Sequence, residues 1–151
     1  MLSPEDRWEI SDLLGRYCFA VDTRELALLD DVLTPDVECV YQTGRAAGLE
    51  NVKAFMAGVL GRLTATQHNL TTSVVEETPG GAEGTTYLVV QHVRAGTEGG
   101  ETYAMGAAYH DSFVRTPAGW RIGRRELIGS WRSGNPAVLA RPAPGPLTPS
   151  R

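Results

Sequence analysis

Four polar side chains lie among apolar residues in a pattern that suits proton transfer: Asp22, Tyr41, His68 and His92. An imidazole gains and loses a proton near neutral pH, and a carboxylate bonded to one ring nitrogen determines which nitrogen is free to react. Asp22 paired with His68 would form such an oriented base. His92 would then assist a leaving oxygen, and the Tyr41 hydroxyl would polarise a carbonyl group directly or through water.

Each of these residues also has a structural interpretation. Asp22 could instead cap a following helix through the backbone of residues 23–25. A single histidine on an apolar face is more often a structural group, and the Tyr41 ring could simply be a packing group. The third histidine, His110, is expected on the strand face opposite Tyr109.

Other chemistries have no motif behind them. The chain contains no glycine-rich phosphate loop, no nucleophile elbow and no closely spaced cluster of metal ligands. We therefore expect no cofactor and no metal.

The net charge of -4 and the pI near 5.3 argue against nucleic-acid and membrane partners. The densest basic stretch alternates with apolar residues and is interpreted as a solvated strand edge; it comprises Arg121, Arg124, Arg125 and Arg132.

Length and composition predict one ordinary globular domain. The chain has 151 residues, of which 42% are hydrophobic and 21% are charged. Cys18 and Cys39 lie in apolar surroundings, so buried, reduced thiols are expected. We see no signal peptide and no long apolar span, and we therefore predict a cytoplasmic location.

Three helices are predicted before the main strands. Ser3 and Pro4 favour a helix start, and apolar residues then recur at three- and four-residue steps as far as Asp22. A shorter helix is predicted over residues 24–33 and a third over residues 50–62.

A strand over residues 37–41 and four long extended segments complete the pattern: residues 66–77, 83–95, 101–116 and 119–132. Grouped helices followed by grouped antiparallel strands predict an α+β architecture, with helices covering one face of a bent sheet that encloses a pocket. Five of the nine prolines lie in residues 134–151. We expect a domain over residues 1–133 and a flexible tail, or a flap over the pocket, over residues 134–151.

Residues 5–132 resemble the SnoaL-like family of the nuclear-transport-factor-2-like superfamily. The similar stretches are residues 10–17, 33–37 and 119–122, with the sequences ISDLLGRY, LTPDV and GWRI. The resemblance implies a cone-shaped barrel, in which a strongly bent, mostly antiparallel sheet packs against three N-terminal helices around a pocket. It also implies a homodimer or homotrimer formed through the exposed face of the sheet.

Within this superfamily the polar residues are most similar to those of scytalone dehydratases. That similarity implies catalytic roles for Asp22, His68, His92 and Tyr41. Two positions differ, because Val21 stands where those enzymes have a tyrosine and Tyr109 stands where they have an asparagine. These differences imply a different substrate.

We therefore predict a cofactor-independent dehydratase, or a related proton-transfer enzyme, acting on a small cyclic or polyketide-like hydroxy-carbonyl compound. Isomerase and cyclase activities would use the same residues, because all begin with removal of a proton next to a carbonyl. A non-catalytic binding module and an oxygenase accessory subunit are the alternatives from other classes. The residues expected to bind the body of the substrate are Tyr17, Phe55, Met105, Tyr109 and Trp131.

Overall fold

The computed structural model describes residues 1–140, which form two α-helices, two 3-10 helices and six strands. In chain order these are α1 (Pro4–Thr23), a 3-10 helix (Leu26–Asp31), β1 (Leu33–Tyr41), β2 (Gly44–Ala47), α2 (Leu49–Leu60), β3 (Ala65–Thr78), β4 (Gly81–Val93), β5 (Thr102–Thr116), β6 (Gly119–Gly134) and a second 3-10 helix (Pro136–Leu139).

Local interactions cap the N-terminal helix α1 at both ends. The Ser3 hydroxyl accepts a hydrogen bond from the Asp6 backbone N–H, and the Asp6 carboxylate accepts one from the Ser3 N–H. At the other end Arg24 adopts a left-handed backbone conformation with φ 63°, which stops the helix. Asp22 therefore lies in the last turn of α1, against strand β3.

Within residues 1–140 the sheet has six strands, in the order β2-β1-β6-β5-β4-β3. Strands β1 and β6 run parallel and every other neighbouring pair runs antiparallel. The predicted α+β fold is therefore confirmed. The sheet is not closed into a barrel, however, because β2 and β3 remain its edge strands.

Interruptions in strand pairing bend this sheet around the core. The register shifts between Leu70 and Ser73 in β3, and between Gly106 and Ala107 in β5. Such bulges increase twist and curvature locally. The helices and the concave face of the sheet then bury a cluster of apolar side chains.

Two predicted elements differ from the structure. The second helix is a single 3-10 segment rather than residues 24–33, and strand β1 already begins at Leu33. Pro35 is tolerated within β1 because pairing with β6 is interrupted between Leu33 and Glu38, so no ladder bond requires its missing N–H.

The described chain continues past β6 with packed structure over residues 135–140. The Asn135 side chain donates hydrogen bonds to the carbonyl oxygens of Glu98 and Gly100, both at 2.8 Å, and Val138 is buried. The segment expected to be flexible from residue 134 thus begins with packed structure, and residues 141–151 lie outside the described part. Over residues 1–140 no helix is long and apolar enough to cross a membrane.

Candidate active site

Asp22 holds His68 through two hydrogen bonds. The Nδ1 atom of His68 lies 2.7 Å from Oδ1 of Asp22, and the backbone N–H of His68 donates to Oδ2 at 2.8 Å. An ionised carboxylate can only accept hydrogen bonds, so Nδ1 carries the proton. The other ring nitrogen, Nε2, makes no hydrogen bond within residues 1–140 and is the nitrogen able to accept a proton.

The Asp22 carboxylate is kept ionised by its neighbours. Burial alone would raise its pKa, but hydrogen bonds from His68 and from the Thr66 hydroxyl outweigh burial and lower the pKa below the usual range. The Thr66 hydroxyl donates to Oδ1 at 2.8 Å. Thr66 and His68 point to the same face of β3 because side chains alternate along a strand.

His68 lines an apolar cavity between the helices and the concave face of the sheet. Polar groups are contributed by α1, β1, the β1–β2 turn, β3, β4 and β5, whereas α2 contributes apolar side chains. The lining residues are Tyr17, Val21, Tyr41, Gln42, Thr43, Phe55, Met56, Val59, Leu60, Leu63, Thr66, His68, Val90, His92, Met105, Tyr109, Leu127 and Leu139. Asp22 stands behind His68, where it lines an outer groove between α1 and β3.

His92 reaches the same cavity from strand β4. Its Nδ1 atom lies 3.2 Å from the carbonyl oxygen of Tyr103, the residue paired with it on β5. Burial lowers the pKa of His92, and the hydrogen bond to Tyr103 opposes that effect only in part. The neutral imidazole is therefore the favoured form near pH 7.

Two tyrosine hydroxyls meet in the cavity wall. The hydroxyl oxygens of Tyr17 and Tyr41 are 2.7 Å apart, and the Tyr41 ring is stacked on Phe55 with 5.8 Å between ring centroids. Burial raises the pKa of both tyrosines above the usual value, so both hydroxyls keep their protons. One proton joins the two oxygens, which leaves the pair one further hydroxyl proton, and the Cys39 thiol lies beside Tyr41.

A buried ion pair packs against the rings of Tyr17 and Tyr109 on the core side of the cavity. Arg125 donates two hydrogen bonds of 2.7 Å to Asp111, and neither side chain has appreciable exposure. Its guanidinium carbon lies 4.0 Å from the ring centroid of Tyr17 and 3.9 Å from that of Tyr109. Such stacking is favourable when the cation is desolvated.

The structure brings most of the predicted site residues together. His68, His92, Tyr41, Tyr17, Phe55, Met105 and Tyr109 all line the cavity, and Asp22 binds His68 rather than capping the next helix. Trp131 lies elsewhere. Its half-exposed indole packs over Gly106 on the outer face of the sheet, because the register shift beside Gly106 leaves Trp131 pointing away from the core.

Three functional neighbours were missed by sequence reasoning. Thr66 was detectable, since it shares the strand face of His68. Arg125 was interpreted as part of a solvated strand edge, and that prediction is wrong because the side chain is fully buried. Its partner Asp111 lies opposite on β5, and nothing in the local sequence marks that cross-strand pairing.

An open sheet packed on helices around a largely apolar cavity is the fold of the nuclear-transport-factor-2-like superfamily. The model of the SnoaL-like domain matches residues 3–126, and the chain belongs to that family. Over 122 residues it is 35% identical to the uncharacterized protein Rv2910c of Mycobacterium tuberculosis, a match covering 80% of this chain and 82% of the relative.

Solved structures share the same fold. Kfla4162 of Kribbella flavida has a TM-score of 0.80 and 26% identity, covering 89% of this chain and 96% of that protein. A proposed scytalone dehydratase of Novosphingobium aromaticivorans has a TM-score of 0.77 and 18% identity, covering 96% and 95%. The hexachlorocyclohexane dehydrochlorinase LinA-type3 of Novosphingobium barchaimii has a TM-score of 0.75 and 19% identity, covering 91% and 94%.

Proposed function

We propose that this protein is a cofactor-independent lyase that eliminates water from a small, neutral hydroxy-carbonyl compound. The observation that carries the proposal is the Asp22–His68 pair at the wall of an apolar cavity. The carboxylate fixes the proton on Nδ1, and the free Nε2 is left to act as a base. The SnoaL-like family includes enzymes of this elimination class, which supports the assignment.

In the proposed reaction the base and the tyrosine hydroxyls act on different atoms of the substrate. Nε2 of His68 removes the proton next to the substrate carbonyl, while the free hydroxyl proton of the Tyr17–Tyr41 pair stabilises the charge that develops on the carbonyl oxygen. The carbon–carbon double bond then forms as the carbon–oxygen bond breaks. The His68 imidazolium returns its proton to the departing oxygen, so the product is water.

The apolar lining suits the rest of the substrate. None of the cavity-lining residues within residues 1–140 is Asp, Glu, Lys or Arg, so a charged substrate would lose its hydration without gaining a counterion. Phe55, Met105 and Tyr109 offer apolar surface to a ring or short polyketide-like skeleton. Isomerisation and cyclisation share the first proton removal. Elimination of other leaving groups is the second candidate function, and it is supported by the similar fold of LinA-type3, which is named a dehydrochlorinase.

Proton removal can be tested before the natural substrate is identified. In D₂O, 1-tetralone exchanges the hydrogens next to its carbonyl when a base removes them, and NMR measures the rate of that exchange. We expect the protein to accelerate exchange and His68→Ala to abolish the acceleration. His110→Ala is the matched control, because His110 lies exposed on β5. The same measurement can be made on a panel of cyclic hydroxy-ketones. If the protein accelerates exchange in none of them, the result would favour the alternative function, a non-catalytic binding module.

We also propose a cytoplasmic, self-associating protein. Cys18 and Cys39 are free and buried, which supports a reducing location. The outer face of the sheet exposes Tyr87, Ile128 and Trp131, which supports association of copies through that face.

A further inference from the structure

The hydrogen bond between His92 and Tyr103 determines what His92 can offer a ligand. A carbonyl oxygen only accepts, so the 3.2 Å contact requires the proton on Nδ1 of His92. A neutral imidazole has one N–H group, and here that group is already bound to the backbone of β5. The remaining nitrogen, Nε2, therefore presents a lone pair.

The surroundings of His92 favour this neutral form. Burial lowers the pKa of His92 most, and His68 lowers it further. Asp22 opposes these effects only weakly and is already bound by His68 and Thr66, and the Tyr103 ring lies 5.9 Å from the imidazole. The cavity-lining side chains described above include no carboxylate that could pair with an imidazolium. His92 is thus suited to accept a hydrogen bond and poorly suited to protonate a leaving oxygen.

The tyrosines, Thr66 and the two histidines of the cavity consequently have fixed and different roles. The Tyr17–Tyr41 pair has one free proton to donate, and the Thr66 hydroxyl is already donated to Asp22. His68 and His92 each present Nε2 as an acceptor. A complementary ligand has one acceptor for the tyrosines and a separate donor for His92, besides the acidic C–H that faces His68.

We propose that His92 is a specificity-determining residue that accepts a hydrogen bond from a second, non-leaving hydroxyl or N–H group of the substrate. This inference rests on the proposed function for the placement of the carbonyl group and adds the substrate class: a neutral carbonyl compound with an additional free hydrogen-bond donor. Nε2 of His92 is not among the buried unpartnered atoms of the free protein, so it is open to water there. An ether at that position would displace this water and leave Nε2 covered without a partner, and polar groups that a ligand buries unpaired oppose binding.

The tautomer can be measured without any substrate. Long-range ¹H–¹⁵N NMR of ¹⁵N-histidine-labelled protein distinguishes protonated from bare ring nitrogens, and the loss of signals in His92→Gln assigns them. We expect His92 to carry its proton on Nδ1 and to be neutral at pH 7. An Nε2–H tautomer or an imidazolium at that pH would overturn the inference.

Ligand binding provides the second test. The probes are the 5-, 6-, 7- and 8-hydroxy-1-tetralones, each compared with its methyl ether and with 1-tetralone by calorimetry. We expect at least one hydroxytetralone to bind about tenfold more tightly than its ether, and its addition to shift the His92 Nε2 resonance.

Variants separate this role from packing. His92→Phe should abolish the preference for the hydroxyl, His92→Gln should retain part of it through its amide oxygen, and the exposed control His110→Phe should leave it unchanged. Equal binding of every hydroxytetralone and its ether, or binding of none, overturns the inference. Failure of the proposed function has a different signature, because His68-dependent deuterium exchange would be absent whether or not the hydroxyl preference is present.

Discussion

The Asp22 carboxylate binds both the ring and the backbone of His68, with Oδ1 2.7 Å from Nδ1 and Oδ2 2.8 Å from the backbone nitrogen. The two contacts tie the end of α1 to the edge strand β3. They also fix the orientation of the imidazole ring, so that Nδ1 faces Asp22 while the ring lines the cavity. Asp22 therefore has a structural effect, because it anchors β3, and a chemical effect, because it orients the His68 ring. The two effects can be tested separately.

Replacing Asp22 by Asn tests the chemical effect. The amide can still accept a hydrogen bond from the backbone of His68, but it loses the charge that holds the proton on Nδ1. We expect the rate of deuterium exchange into 1-tetralone to fall by about 100-fold or more. Asp12→Asn is the matched control, since Asp12 is an exposed carboxylate on the same helix. Equal rates in the two variants would contradict the role of Asp22.

The pH dependence of stability tests the buried state of His92. Its pKa is lowered in the folded protein, whereas an unfolded histidine titrates near 6.5. Below about pH 6.5 the unfolded chain therefore binds more protons at this residue, and the free energy of unfolding falls as pH falls. Urea titrations between about pH 7 and pH 5 should show this decline, and His92→Phe should make it shallower. An unchanged slope in that variant would contradict a depressed pKa.

The contact between Asp22 and His68 could be predicted from the sequence because both residues carry local signals. Asp22 follows an amphipathic helix pattern, and His68 alternates with apolar residues in a strand pattern. The α+β class followed from the same periodicities. These signals depend on neighbours within a few positions, which is the range over which helix and strand patterns are visible.

The parts that could not be predicted depend on contacts between distant residues. Arg125 lies in a run of arginines, and only its pairing with Asp111 across β5 and β6 shows that it is buried. Trp131 continues an alternating pattern, but the register shift next to Gly106 turns it to the outer face. Strand register and bulges are set by the assembled sheet, so a single sequence does not display them.

The buried ion pair is expected to be essential as a pair. Arg125→Met alone leaves the Asp111 carboxylate buried without a partner, which should lower the free energy of unfolding by about 3–5 kcal/mol. The double variant Arg125→Met with Asp111→Leu removes both charges and should recover most of that loss. Urea denaturation measures both effects. A double variant no more stable than the single one would show that stacking on Tyr17 and Tyr109 outweighs the charge pairing.

The shape of the outer face of the sheet suits contact with a second copy of the chain. Tyr87 and Ile128 flank Ala108 in one cross-strand row, with exposed fractions of 58% and 47% for the two large side chains. In the next row Trp131 covers Gly106. Small residues on β5 between large ones on β4 and β6 make a shallow apolar trough, and contiguous exposed apolar surface of this kind favours association.

We therefore expect the protein to sediment as a dimer or trimer and Ile128→Lys to shift it to the monomer. A buried lysine at such an interface would lack a partner for its charge. Trp8→Lys is the matched control, because Trp8 is 76% exposed on α1, away from the sheet. The cavity lies on the opposite face of the sheet, so the monomeric variant should retain deuterium exchange. A wild-type monomer, or an Ile128→Lys oligomer of unchanged size, would rule out this face as the interface.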